Sequence, residues 1–261
     1  MPQATRQQVL VGLEDLFSLI FGIATPIDET TNVYDWMQED DAWYEVDFAD
    51  VFVRIERHFA VQIPIERWDE FLGAAAKSED EWLTDIKPWL TFGRMADLIA
   101  EYTEAVSFEP VTICFRECAP AGAFLGIQRL YEQWRGFHRM KRFAPSTAIR
   151  SVLTRDKLAD FWCQLRWQST GRIQELEFPY ATLGCSLLAG GLLLLAGGTF
   201  CAVKFANPKL FVFGLWIGAA CLFLGQRLRW AGNPLPEGIV TFRDAAERIA
   251  SGSGAQTVNT G

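Results

Sequence analysis

The longest apolar stretch of the chain lies in its C-terminal third. From Phe178 to Val203, 26 residues follow one another without a charged side chain, and a second apolar run extends from Leu210 to Gly225. A transmembrane helix needs about 20 predominantly apolar residues. Because the proline of Asn207-Pro208 between the runs cannot continue a helix, the pattern predicts a transmembrane helical hairpin with spans at about 180–203 and about 208–227. A re-entrant or interfacial segment is the alternative for the shorter second run.

Small residues in the two runs predict how the helices pack. In a bilayer, helices approach closely where small side chains form one face. Ala189, Gly190 and Gly197 supply such a face in the first run, and Gly214 and Gly218 form a GxxxG in the second. The pattern allows both packing of the two spans on each other and homodimerisation through Gly214 and Gly218.

Charged residues lie outside the two apolar runs. Because ionisable groups within the membrane usually mark ion paths or proton relays, their absence argues against a transporter and favours an anchor. Lys and Arg are more frequent on the outer flanks than in the connecting loop, which predicts that both termini are cytoplasmic, in a cell (inner) membrane. The basic residues concerned are Arg166, Arg172, Arg227, Arg229 and Arg243 outside, and Lys204 and Lys209 in the loop.

The net charge changes sharply along the chain. Residues 1–106 carry 7 basic and 22 acidic side chains, residues 107–178 carry 11 and 7, and residues 179–261 carry 6 and 3. This predicts four parts: an acidic helical domain (1–106), a basic juxtamembrane segment rich in α-helix (107–178), the hairpin (179–230), and a short amphipathic helix with a disordered tail (231–261). The acidic domain would repel nucleic acid and attract a basic protein partner.

Helical spacing of apolar residues recurs within the acidic domain. It predicts helices over Thr5–Phe21, Val46–Phe59 and Ile65–Leu72, and a fourth that Thr91 caps and that extends to Glu101. A loop is expected through Asn32–Trp36. The fold class is therefore mainly α, with a small helical bundle, a mixed or helical middle segment and the C-terminal hairpin.

Three stretches of this domain resemble the acyl carrier protein family. They are Val46–Phe59, Val61-Gln62-Ile63-Pro64 and Leu90–Ile99, and the resemblance covers about residues 5–102. It implies an acidic four-helix fold. The motifs are short and degenerate.

The chain departs from that family at the residue that matters most. A working carrier holds phosphopantetheine on a serine at the start of its second helix, and anchoring on Phe59 and Pro64 places Glu45 there. No serine lies between Ser18 and Ser78. A carboxylate cannot take this phosphodiester, so no cofactor is expected. A recognition surface for a partner would remain, formed by Asp40, Asp41, Glu45, Asp47, Asp50 and Glu56.

The middle segment holds the candidates for catalysis. A short strand at Pro110–Phe115 and helices at Ala121–Phe137 and Thr154–Trp167 are expected, the last with an aromatic end suited to a membrane interface. Cys114, Cys118 and His138 are the weak thiol and imidazole candidates. Two histidines in the whole chain make a poor zinc set, so no metal site is predicted.

One sequence pattern occurs twice. Thr241–Ala250 repeats the Thr-Phe start and the Ala and Ile spacing of Thr91–Ala100. Ordinary helix-capping chemistry explains much of this likeness, and an internal duplication is the alternative.

Together these features predict a non-catalytic, membrane-anchored protein that presents a carrier-like domain without phosphopantetheine to the cytoplasm and binds a basic protein. The alternatives are a membrane-associated enzyme of the middle segment with a cysteine nucleophile, and a structural subunit of a membrane complex.

Overall fold

A computed structural model describes residues 2–21, 27–38, 48–73, 78–134, 142–154, 156–178, 180–205, 208–229 and 232–252. Within these ranges the chain is mainly α-helical, which confirms the predicted class at that level. A π-helical turn (Trp82–Ile86) and a 3-10 turn (Lys87–Trp89) follow the short helix at Glu79–Glu81. The helices and strands are α1 (Arg6–Phe21), α2 (Val33–Gln38), α3 (Phe48–Phe59), α4 (Ile65–Leu72), α5 (Glu79–Glu81), α6 (Phe92–Tyr102), β1 (Val111–Ile113), β2 (Arg116–Cys118), α7 (Ala119–Gln133), α8 (Ile149–Val152), α9 (Asp156–Gln168), α10 (Ala181–Phe205), α11 (Pro208–Arg229) and α12 (Phe242–Gly252).

The chain forms two compact units. The first comprises Met1–Gln174 together with Ile239–Gly261, and the second comprises Glu175–Gly238. The C-terminal helix α12 thus belongs to the same unit as the N-terminal helices. The second unit holds the helical hairpin α10–α11.

The segment after Asn32 differs from the sequence prediction. A loop was expected there, but α2 forms because the Asn32 Oδ1 accepts a hydrogen bond from the backbone N–H of Asp35 at 3.1 Å and caps the helix. The helix buries Val33 and Trp36 in the core. Trp36 lies edge-on to Phe17 of α1, with ring centroids 5.4 Å apart.

The strand predicted near Pro110 is half of a small hairpin. Antiparallel β1 and β2 pair Val111 with Cys118 and Ile113 with Arg116. Cys114 and Phe115 make the turn with φ of 50° and 64°. Left-handed backbone of this kind suits the two central residues of a tight hairpin turn, where glycine or asparagine is usual.

The first unit contains one arrangement of helices twice. The start of α2 is joined to the start of α6 by two backbone bonds, from Val33 N to Leu90 O (2.7 Å) and from Phe92 N to Thr31 O (3.0 Å). A third bond from Gly93 N reaches the carbonyl of Glu29 (2.9 Å).

The same three bonds recur at the start of α8 and α12. Ile149 N donates to Val240 O (3.0 Å), Phe242 N to Thr147 O (3.2 Å) and Arg243 N to Pro145 O (2.8 Å). The N-caps agree as well, since Thr91 Oγ1 and Thr241 Oγ1 each accept at 3.3 Å from the backbone N–H three residues later.

Helices α3 and α9 also end alike. Ala60 and Thr170 follow them with φ of 55° and 60°, although neither is glycine. One residue further, Val61 N donates to Glu56 O and Gly171 N to Arg166 O, both at 2.9 Å. In both helices this hydrogen bond spans five residues and a left-handed residue precedes its donor, so the two C-terminal ends have the same geometry.

Helices α1 and α7 complete the correspondence. Both have a glycine, Gly12 or Gly126, that is followed at once by a fully buried aliphatic residue. The matching buried pairs are Val9 and Ala123, Leu13 and Ile127, Leu16 and Leu130, and Phe17 and Tyr131. The likeness of Thr91–Ala100 to Thr241–Ala250 therefore belongs to an internal structural repeat. We call residues 2–106 the first repeat, and α7, α8, α9 and α12 with their connections the second repeat.

The two repeats differ between their third and last helices. In the first repeat, α4, α5 and the π-helical and 3-10 turns connect α3 to α6. In the second repeat, the chain from Glu175 to Gly238 lies between α9 and α12, and it forms the separate hairpin unit. The hairpin is thus an insertion into the second repeat.

The repeats pack together mainly through α9 of the second and α1 of the first. The Phe59 and Trp167 rings meet edge-on at 5.2 Å, and a Cβ added to Gly12 of α1 would lie 3.3 Å from Trp167 Cβ. Trp167 is 1% exposed. The prediction that the aromatic end of this helix sits at a membrane interface is therefore wrong, because these rings fill the contact between the repeats, which we call the repeat interface.

The hairpin unit packs through glycines. Cβ atoms added to Gly214 and Gly218 would lie 2.9 Å from Gly198 Cα and 2.9 Å from Gly191 O, respectively. The contact face of α10 is displaced by one residue from the face that the sequence predicts. A Cβ at Gly190 or Gly197 would meet no atom within 4 Å, whereas the neighbouring Gly191 and Gly198 contact α11. Among the residues described, no helix has the length together with the apolar content that a membrane crossing needs.

Candidate protein-interaction surface

Most of the predicted partner-binding residues lie outside the described ranges. These are Asp40, Asp41, Glu45 and Asp47. Asp50 is described and exposed on the first turn of α3, where its carboxylate accepts a hydrogen bond from Arg54 Nε at 2.6 Å. An exposed pair of this kind, four residues apart on one helix, contributes only about 0.3–0.5 kcal/mol.

Glu56 is committed to the fold. Its Oε1 accepts a hydrogen bond from the backbone N–H of Ile63 at 3.1 Å and another from Trp68 Nε1 at 3.2 Å. The Trp68 ring stacks on Phe52 at 4.4 Å. The carboxylate therefore fixes the corner between α3 and α4, which the sequence pattern did not reveal because Glu56 lies beside the polar face of α3.

The connection from α4 to the 3-10 turn carries exposed acidic side chains. We call Glu66, Asp69, Glu79, Asp80 and Asp85 the acidic segment; all five are exposed. Within the described ranges none of them forms an ion pair. Their charges are therefore available to a partner.

The same connection exposes large apolar side chains. Ile65 is 64% exposed, Trp89 is 62% exposed and Leu83 is 42% exposed. Aromatic side chains are enriched at the centres of protein interfaces, and polar side chains form their rims. The sequence indicated only a helix at Ile65–Leu72 here, because exposure of Ile65 and Trp89 cannot be read from the spacing.

Tertiary contacts hold this connection in place. Trp82 Nε1 donates to Leu72 O at 2.8 Å, and its ring lies edge-on to Tyr34 at 5.3 Å. Lys87 Nζ lies 2.7 Å from the Asp35 carboxylate and 5.0 Å from the centre of the Tyr34 ring. The acidic segment is thus displayed on a fixed scaffold.

A polar groove of about 150 Å³ lies between α4 and α6. Its main ion pairs are Arg67 with Glu101 (2.7 Å) and Arg67 with Glu70 (2.8 Å). Hydrogen bonding and charge from Glu101 raise the pKa of Arg67 above its ordinary value. On the same groove, Arg6 binds both carboxylate oxygens of Asp97 at 2.6 Å. Acidic and basic side chains are nearly balanced in this groove, so the groove adds polar surface but little net negative charge to that of the acidic segment.

An apolar cavity of about 30 Å³ lies inside the first repeat. Its walls include Phe17, Val51 and Phe71. The volume is about that of one water molecule in the liquid. A space of this size without polar partners has no room for an organic ligand.

The thiol and imidazole candidates are not brought together in the described part of the chain. Cys114 is exposed in the turn of the β-hairpin, while Cys118 pairs with Val111 at its base. His138 lies outside the described ranges. Among the residues that are described, no group of three or more His, Cys, Asp or Glu side chains could hold a metal ion.

The glycines predicted to join two copies are used within one chain. Gly214 and Gly218 are buried against α10. A second copy would have to displace α10 to reach them. Of the two packings that the sequence allowed, the structure has the contact between the helices of one hairpin.

Comparison with family models, with curated proteins and with solved structures finds no match to this chain. The function is therefore argued from its own residues.

Proposed function

We propose that this chain is a non-catalytic, membrane-anchored protein whose first repeat binds a basic protein partner at the cytoplasmic side. The observation that carries the proposal is the acidic segment, five exposed carboxylates that form no ion pair within the described ranges, together with exposed Ile65 and Trp89 in the same connection. Clustered negative charge attracts basic surfaces and accelerates their association.

The hairpin is the proposed anchor. Support comes from the full sequence of the hairpin unit, which contains the uncharged runs Phe178–Val203 and Leu210–Gly225. Leu193 is 73% exposed and Trp216 is 74% exposed, as suits side chains that face lipid. Lys204 lies 5.8 Å from the Phe200 ring and Arg227 lies 5.1 Å from the Phe223 ring, near the ends of α10 and α11, from which a long cationic side chain can reach a membrane interface.

A carrier-like fold without a carrier's cofactor is the proposed nature of both repeats. Glu45 stands ten residues before the buried Ile55, and Arg155 stands ten residues before its counterpart Leu165. Neither side chain can form the phosphodiester that a serine forms. The intact mass of the purified protein should therefore equal that of the bare chain, and a phosphopantetheine adduct would contradict this part of the proposal.

Binding of the partner is tested by removing charge from the acidic segment. The variant carries Glu66→Gln, Asp69→Asn, Glu79→Gln, Asp80→Asn and Asp85→Asn. Its control neutralises five exposed carboxylates elsewhere, by Glu109→Gln, Glu117→Gln, Glu132→Gln, Glu237→Gln and Glu247→Gln. Both are used as bait, in detergent, for proteins of the host membrane.

We expect the first variant to lose a protein that the wild-type chain and the control retain. Exposed ion pairs contribute about 0.2–1 kcal/mol each, so five lost pairs weaken binding about fivefold or more. Retention of every partner by the first variant would refute the proposal. The anchor is tested separately by washing host membranes at high pH without detergent. Release of the chain into the supernatant would show that it has no membrane-spanning helix.

A further inference from the structure

The repeat interface contains a buried imidazole nitrogen without a hydrogen-bond partner. His58 is on the last turn of α3, and its Nε2 is shielded from solvent with no partner in the described part of the chain. The residue as a whole is only half-buried. The backbone carbonyl of His58 accepts a hydrogen bond of 2.7 Å from Gln164 Nε2 of α9, so the histidine lies where the second repeat meets the first.

Further polar contacts join the two repeats. Gln8 Nε2 of α1 donates to Gln168 O at 2.6 Å, and Val106 N donates to Gln168 Oε1 at 2.8 Å. Arg166 of α9 forms an ion pair with Asp15 of α1, and their side chains are only 15% and 8% exposed. The contact between the repeats thus depends on buried hydrogen bonds as well as on packed rings.

Burial is the one cause that shifts the titration of His58. It lowers the pKa of the imidazole from 6.5 to about 4. The ionisable groups on α1, α3 and α9 are Arg6, Glu14 and Asp15 on α1, Asp50, Arg54, Glu56 and Arg57 on α3, and Asp156, Lys157, Asp160, Cys163 and Arg166 on α9. None of them contributes to the lowered pKa of His58, for which burial is the only cause among the described residues.

An imidazolium at this position would leave a buried donor unpaired. Protonation gives both ring nitrogens a hydrogen, and Nε2–H would then be a buried donor for which the described residues provide no hydrogen-bond partner. An unsatisfied charged donor is much more costly inside a protein than in water. Gln164 of α9 is bonded to the backbone of His58, so separation of α9 from α3 opens the surroundings of the imidazole to solvent, where the charge costs less.

We propose that the repeat interface is an acid-sensitive latch, in which protonation of His58 separates the second repeat from the first. The latch is closed at neutral pH, where the imidazole is uncharged. As the pH falls below 6.5, proton binding favours the separated state, in which the imidazole is solvated. With pKa values of 6.5 when open and about 4 when closed, the ratio of open to closed interface rises about 20-fold from pH 7 to pH 5.

Cys163 reports opening, because its Sγ lies 3.9 Å from the Asp15 carboxylate within the interface. The experiment uses the full chain in detergent with Cys163 as its sole cysteine, and a dipyridyl disulfide, which reacts with thiols in acid. The labelling rate is divided by that of an unstructured cysteine peptide at the same pH. We expect this ratio to rise about 20-fold between pH 7 and pH 5.

The matched variants are His58→Gln and His138→Gln, which remove the two histidines one at a time. His58→Gln should abolish the rise and His138→Gln should leave it unchanged. A rise that persists in His58→Gln, or its absence in the wild type, overturns the proposal. Should His58→Gln fail to fold, NMR titration of the wild-type imidazoles decides: a pKa for His58 near 6.5 in the closed protein overturns the latch, and one near 4 supports it.

Discussion

Removing the Glu56 carboxylate separates a structural role from a binding role. In Glu56→Ala the backbone N–H of Ile63 and the indole N–H of Trp68 lose their acceptor, and both groups are partly buried. A hydrogen bond to a charged group contributes about 1.5–3 kcal/mol. Because solvent can reach part of this corner, we expect a loss of about 2–4 kcal/mol in the free energy of unfolding.

The matched control is Glu66→Ala, which removes an equal charge from an exposed and unpaired position on α4. A surface substitution of this kind changes stability by about 0.5 kcal/mol or less. Thermal unfolding of the full chain in detergent measures both, and each kcal/mol shifts the midpoint by about 2–4 °C for a unit of this size.

A third variant, Glu56→Gln, keeps a carbonyl oxygen that can accept the same bonds without the charge. Its loss should fall between those of Glu56→Ala and Glu66→Ala, since neutral acceptors contribute about half as much as charged ones. If Glu56→Ala unfolds at the same temperature as Glu66→Ala, the carboxylate does not fix the α3–α4 corner, and its assignment to a partner surface gains support.

Three further predictions concern other features. Ala60→Gly and Thr170→Gly each remove a side chain from left-handed backbone and should stabilise the protein by about 0.5–1 kcal/mol in denaturant titrations; a loss of stability in both would contradict this. Gly218→Leu should disrupt the hairpin and lower the thermal midpoint, whereas Gly190→Leu, which meets open space, should not; equal midpoints would show that the helices do not pack there. Because folding lowers the pKa of His58 to about 4, stability should be full above pH 6.5 and fall by at most about 3 kcal/mol as the pH drops to 4, and His58→Gln should flatten this part of the curve of unfolding free energy against pH.

Helices with a strong amphipathic stripe and a clear cap could be predicted from the sequence. The helix after Thr91 was expected to end at Glu101 and ends at Tyr102, because Thr91 caps it and one face is apolar. The helix after Asn32 was missed because six residues are too few for a periodic pattern. Its stability comes from the cap and from burial of Val33 and Trp36, and burial is a tertiary property.

The internal repeat could be suspected but not established from the sequence. Val51 and Ile55 of α3 correspond to Phe161 and Leu165 of α9, and both pairs are buried, but the residues differ. The shared features are backbone hydrogen bonds and the left-handed residues Ala60 and Thr170. Such features depend on chain geometry and are compatible with many side chains, which is why the single pattern at Thr241 was ambiguous.

The insertion gives the proposed anchor and the proposed binding surface corresponding places in the two repeats. In the first repeat, the connection from Ile65 to Trp89 carries the acidic segment, and in the second the connection from Glu175 to Gly238 is the hairpin. The helices shared by the repeats form the common core, so either connection can change without loss of that core. Substitutions in the acidic segment should therefore leave both the fold and the proposed membrane association intact. If a variant of the acidic segment lost the fold or the membrane association as well as binding of the partner protein, the two connections would not be independent.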